Sequence, residues 1–191
     1  MGISGFVLYL LYDIDSFASL WKPLRLGFAA GTALIFIASA WQMYLSAAAG
    51  AFAGAGDAVL LALGLVSLGA LIYSLFFALP FEATYTDPEQ GRRAYTCGAY
   101  ALCRHPGILC FFAMFLFWGL AALPTGFLRY GMTLSLLNLG YALFQDRVTF
   151  PKTFCDYLAY REKVPFLLPT ADSFRRAVKT WGHPYEKEEE L

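Results

Sequence analysis

Long apolar stretches alternate with short polar ones along the chain. Residues 26–49 and 58–79 carry no charged side chain, and the second stretch stops at Pro80. Residues 107–123 are shorter but aromatic-rich, and residues 127–144 hold a single charge, Arg129. A membrane-spanning helix takes about 20 apolar residues, roughly 17–25, so the pattern predicts a helical span for each. Only positions 124–126 separate the last two, which predicts an antiparallel helical hairpin. Residues 3–20 form a fifth candidate, interrupted by Asp13 and Asp15. Acids within a span are functional candidates by default, since a charge at mid-bilayer costs at least about 2.5–3.5 kcal/mol. The simpler expectation ends this span near Tyr12 and leaves both aspartates in water. It has no basic leader, so it reads as a retained span rather than a cleavable signal.

The expected fold is therefore all-α: a polytopic membrane bundle of about five transmembrane helices with a C-terminal hairpin. Residues 1–191 form one domain, with a core motif region at 92–169 and a polar cytoplasmic tail at 170–191. Basic residues set the orientation. Lys22 and Arg25 precede the second stretch, Arg92, Arg93 and Arg104 lie in the loop 81–106, and Arg147, Lys152, Arg161, Lys163, Arg175, Arg176 and Lys179 follow the last stretch. The positive-inside rule places these segments in the cytoplasm and the N-terminus outside. Arg129, beside the hairpin turn, snorkels to the opposite interface. Small residues (Gly27, Gly31, Ala38, Gly64, Gly69) let helices approach closely in lipid.

Composition agrees. Of 191 residues 59% are hydrophobic and only 15% charged, where a soluble domain carries about a quarter charged. The net charge of zero gives no case for nucleic-acid binding. Cys97, Cys103, Cys110 and Cys155 form no CxxC pair, and two histidines cannot complete a zinc set, so the cysteines are expected to be thiols and no metal is expected. The run Glu186 to Glu190, broken by Lys187, reads as a solvated tail.

Two polar stretches flank the hairpin. The first, from Arg92, Arg93, Ala94 and Tyr95 through Gly98 and Tyr100 to Arg104, His105 and Pro106, runs straight into a helix. Proline suits a helix's first turn. A cationic pair at that positive end calls for an anionic partner: a substrate carboxylate, a phosphate or a protein acid. The second holds Gln145, Asp146 and Arg147, then Tyr157 and Tyr160 one helical turn apart, then Val164-Pro165. Since the hairpin returns the chain to the side it left, the two stretches are expected to meet. Arg104 and His105 could also simply bind lipid phosphate, and Tyr160 could belong to an aromatic belt.

The spacing Gly98-x-Tyr100-x-x-x-Arg104-His105-Pro106, followed by Tyr157-x-x-Tyr160-x-x-x-Val164-Pro165, resembles the isoprenylcysteine carboxyl methyltransferase and phospholipid methyltransferase superfamily of membrane enzymes. The resemblance covers residues 92–169. It implies S-adenosylmethionine as cofactor, held by Arg92, Arg93, Ala94, Tyr95, Tyr100, His105, Pro106, Gly107, Ile108 and Tyr157. It also implies a lipophilic or lipid-like acceptor entering from the bilayer, and Asp146, Arg104 and Arg147 handling its polar group. The chain departs from the family's pattern at three places: Ile108 stands for a tyrosine, Asp146 alone for a glutamate pair, and Phe154-Cys155 for Phe-Gly. Two other readings stay open, an NADPH-dependent sterol-reductase-like enzyme and a non-catalytic membrane scaffold descended from the family. The acceptor's nucleophile and the oligomeric state are not legible.

Overall fold

The computed structural model describes residues 1–18, 20–78 and 92–181, and among these every regular element is helical. The loop positions 81–91, the Pro80 stop and the acidic tail lie outside the described residues. The helices are α1 (Gly2–Ala18), α2 (Gly27–Ala48), α3 (Ala55–Phe76), α4 (Ala99–Leu102), α5 (Pro106–Ala121), α6 (Phe127–Phe144), α7 (Phe150–Thr153), α8 (Tyr157–Lys163) and α9 (Ala171–Thr180). A 3-10 turn, Lys22–Leu26, leads into α2, and a π-helical turn, Gln145–Thr149, follows α6. Among the described residues two helices are long and apolar enough to cross a membrane, Lys22–Ala48 and Ala55–Phe76; α5 is apolar but shorter.

The chain divides into two compact units, Met1–Leu68 with Phe111–Thr149 and Gly69–Cys110 with Phe150–Leu191. In the first unit the helices pack through missing side chains. A Cβ on Gly31 would lie 2.6 Å from the carbonyl of Gly5, and one on Gly5 would lie 2.6 Å from Ile35, so α1 and α2 touch backbone to backbone. Tyr9 reinforces the contact, stacking on Phe28 and hydrogen-bonding Thr32 at 2.9 Å. A Cβ on Gly64 would fall inside the Trp118 indole, whose N–H donates to the carbonyl of Leu61. Between α5 and α6 the chain reverses at Gly126, which takes φ +80°, and Phe115 then lies against Gly131. Hydroxyl pairs Ser39–Tyr130 (3.1 Å) and Ser46–Thr125 (2.8 Å) tie α2 to α6 and to the turn before it. In an apolar medium such pairs do the work that hydrophobic burial does in water.

One expectation is overturned here. Asp13 and Asp15 are buried, at 4% and 6% exposure, rather than wet. Helix α1 does not end near Tyr12 but runs to Ala18, and each carboxylate meets its own donors. Asp15 accepts the Trp21 N–H at 2.7 Å, closing the turn into the next element. Asp13 is hydrogen-bonded by Gln145, Tyr141 and Thr149, while the Gln145 amide donates to the Tyr141 hydroxyl at 2.8 Å. These side chains thus form a polar knot at the π-helical turn.

Candidate functional site

The second unit brings the first motif stretch together with the Tyr157-to-Pro165 part of the second. Gly98 opens α4 at φ 56°, ψ −127°, a conformation that only glycine adopts without strain. Its N–H donates to the Thr180 hydroxyl at 3.0 Å, pinning α4 to α9. Tyr100 then donates its hydroxyl to the carbonyl of Ser74 near the end of α3, and its own carbonyl accepts the Tyr160 hydroxyl at 2.8 Å. The motif tyrosines are therefore coupled through a main-chain oxygen.

Arg104 makes the tightest link. Its Nη1 donates to the carbonyls of Arg161 and Val164, both at 2.8 Å, and its backbone N–H donates to the carbonyl of Pro165 at 3.0 Å. The last carbonyls of a helix have no partner inside it, and a cation there also meets the negative end of the macrodipole. One guanidinium satisfies both needs at the end of α8. Phe166 covers the cation at 5.6 Å and also meets His105 edge-on at 4.9 Å, while Phe150 stacks on the imidazole at 5.8 Å. A cationic pair at the start of α5 called for an anionic partner; for Arg104 helix carbonyls fill that role.

Upstream, residues 92–95 are held by the turn before α8. Cys155 N–H donates to the carbonyl of Arg92, and Ala94 N–H donates to the Asp156 carboxylate at 2.8 Å. Asp156 stands at the N-cap of α8 yet spends its carboxylate on this second strand of chain rather than on its own helix. Tyr95 and Tyr100, both half-buried, face each other edge to face at 6.2 Å. Tyr157, Tyr160 and Val164 form a buried cluster with Ala94, Phe150 and Phe154 packed on it. Pro106, Gly107 and Ile108 make the first turn of α5, with Gly107 facing Ser74 and Leu71.

Burial sets the protonation states. It raises the hydroxyls of Tyr100 and Tyr160 above the ordinary tyrosine value and pushes the Cys103 thiol up to about 11. All three stay neutral at physiological pH, so the tyrosines act as donors and the thiol is inert. All four cysteines are thiols, and among the described residues no cluster of His, Cys, Asp or Glu could hold a metal.

Arg92, Arg93, Ala94, Tyr95, Tyr100, Arg104, His105, Pro106, Gly107, Ile108 and Tyr157 all belong to this unit. Asp146 and Arg147 belong to the first unit, in the π-helical turn, with Asp146 buried. Asp156, Phe166 and Thr180 are structural parts of the site that motif reading missed. The acid just before a helix was a legible N-cap signal for Asp156, while nothing in the sequence marks Thr180. No protein-family model, curated protein or solved structure matches the chain.

Proposed function

We propose that this is an integral, multi-pass membrane protein of about five transmembrane helices. It transfers a methyl group from S-adenosylmethionine to a lipophilic or lipid-like acceptor at the inner membrane face. Membrane embedding is supported by the mismatch between composition and burial. Of the most apolar windows in the two long helices, only 22% and 11% of positions are buried, whereas a soluble core helix is mostly buried. Apolar side chains left this exposed call for lipid.

The observation that carries the catalytic reading is the Arg104 link. The two motifs that resemble the methyltransferase superfamily are bonded to each other side by side, guanidinium to helix end. The residues suit the cofactor. A sulfonium cation is attracted to aromatic faces, and Tyr95 and Tyr100 offer half-buried rings beside each other. His105, set between Phe150 and Phe166, adds a polar group in an aromatic frame. When bound, the cofactor supplies an electrophilic methyl group. The chain's own part is to orient and to exclude water, since alignment does most of the work when the nucleophile is already anionic. Arg104 is a positioning residue that fixes α8 against the start of α5. The sequence reading gives Asp146 the role of orienting cofactor or acceptor, and Arg147 that of holding an acceptor carboxylate or phosphate. Incubating the purified protein with methyl-labelled cofactor and extracted membrane lipid tests the reading: label should appear in the organic phase, and its absence counts against activity.

One observation favours a second reading, a non-catalytic descendant of the family. Tyr157 and Tyr160 are packed into an aromatic cluster as core residues are. A chain that binds neither the cofactor nor its demethylated product would be this kind of protein.

A further inference from the structure

We infer that α9 is an in-plane interfacial helix that lies on a leaflet of anionic phospholipid. This rests on the membrane reading above and adds a lipid class and a surface to it. Around α9 three faces separate. Ser173, Ala177 and Thr180 recur at helical spacing and are buried, Thr180 bonding Gly98 before α4. Phe174, Val178 and Trp181 also recur at helical spacing, but they are 59%, 60% and 52% exposed. Arg175 and Lys179, one turn apart and exposed, flank that apolar face. Asp172 bridges Arg175 at 3.5 Å, but exposed pairs of this kind are weak and leave the cation available to a phosphate. The capping box of Thr170 and Ser173 gives the helix a defined start, so these faces are fixed ones.

The apolar face is also placed at a span's end. Trp181 stacks on Tyr73, 6.1 Å between centroids and 13° between planes, and Tyr73 lies in the last turn of α3. Phe76 and Phe77 beside it are exposed as well. Tryptophan and tyrosine at a helix terminus mark the membrane–water boundary. An apolar stripe at that depth with lysine and arginine along its edge has the chemistry of a helix on anionic headgroups, each basic residue near such a surface adding about fivefold in binding.

The test uses the full chain in vesicles of phosphatidylcholine with or without phosphatidylglycerol. Trp181 emission is isolated as the difference between the parent and Trp181→Phe, and quenched by chain-brominated lipid or by aqueous acrylamide. Trp41, exposed on α2 and isolated in the same way, reports on the membrane reading itself. The expected result is quenching of both tryptophans by brominated lipid. Arg175→Glu with Lys179→Glu should remove most of the Trp181 signal in vesicles containing phosphatidylglycerol. Quenching of Trp181 by acrylamide alone would overturn the proposal, as would protection from both quenchers, which would mean that protein covers the helix. If charge reversal changes nothing, the preference for anionic lipid is wrong. Loss of brominated-lipid quenching at Trp41 too would instead overturn the membrane reading.

Discussion

The guanidinium of Arg104 donates to the carbonyl of Val164 at 2.8 Å, across 60 positions of sequence. Together with the bond to Arg161, it ties Arg-His-Pro to Val-Pro: the first supplies the cation that closes the helix ended by the second. Arg104→Ala leaves buried carbonyls without a donor and should cost about 2–4 kcal/mol. Arg104→Lys keeps the charge but not the fork, and should recover only part of it. Thermal unfolding in detergent gives the order parent, lysine variant, alanine variant. An alanine variant as stable as the parent would remove the proposed link.

Gly98 sits in backbone space closed to other residues. Gly98→Ala should therefore destabilise by about 1–3 kcal/mol, although no atom lies within 4 Å of the new Cβ. Thr180→Val, which loses the hydroxyl that receives the Gly98 N–H, should cost about 1 kcal/mol. Denaturant titration of the two variants distinguishes backbone strain from the lost hydrogen bond.

Thiol chemistry gives a check on burial. Cys155 is exposed and Cys103 is not, so maleimide at neutral pH should modify Cys155 first and Cys103 last, read by peptide mass spectrometry. The Cys103 thiol titrates at about 11 in the folded chain against an ordinary 9.0. The folded state thus holds its proton longer than the unfolded one. Its contribution to stability is complete below about pH 9 and falls as pH rises from there to about 11. Cys103→Ala should flatten that alkaline decline.

Asp13 tests the polar knot at the π-helical turn. Asp13→Asn keeps an acceptor oxygen for Tyr141 and Gln145 and should be tolerated. Asp13→Leu removes the acceptor from buried donors and should cost about 1–3 kcal/mol. Equal stability of the two variants would show that burial alone, not hydrogen bonding, holds α1 there.

Much of the helical layout was legible because the pattern of long apolar stretches is coarse. The stretch 127–144 is helical over the same residues, and 26–49, 58–79 and 107–123 correspond to α2, α3 and α5 with shifts of a few positions. The reversal at 124–126 was readable from proline and glycine. What periodicity could not reveal was polar satisfaction. Asp13 and Asp15 look wet when only their charge is counted, and their partners Trp21, Tyr141, Gln145 and Thr149 lie 6 to more than 100 positions away. For the candidate site, the motif residues were visible but not their bonding. Arg104 was read as a hand for substrate, and the reading did not foresee that its Nη1 holds helix carbonyls. The segment after 170 was read as a polar tail because Arg175, Arg176 and Lys179 dominate its composition. The 3.6-residue order of its residues 171–180, visible only with the Thr170–Ser173 cap in mind, makes them α9.

Cofactor binding is the point on which the functional account turns. Titration calorimetry of the detergent-purified chain with S-adenosylhomocysteine should give saturable binding well below about millimolar concentration, weakened by Tyr100→Ala in a variant that still folds. A well-folded sample that takes up no heat at about millimolar ligand would contradict the assignment and leave the scaffold reading in its place.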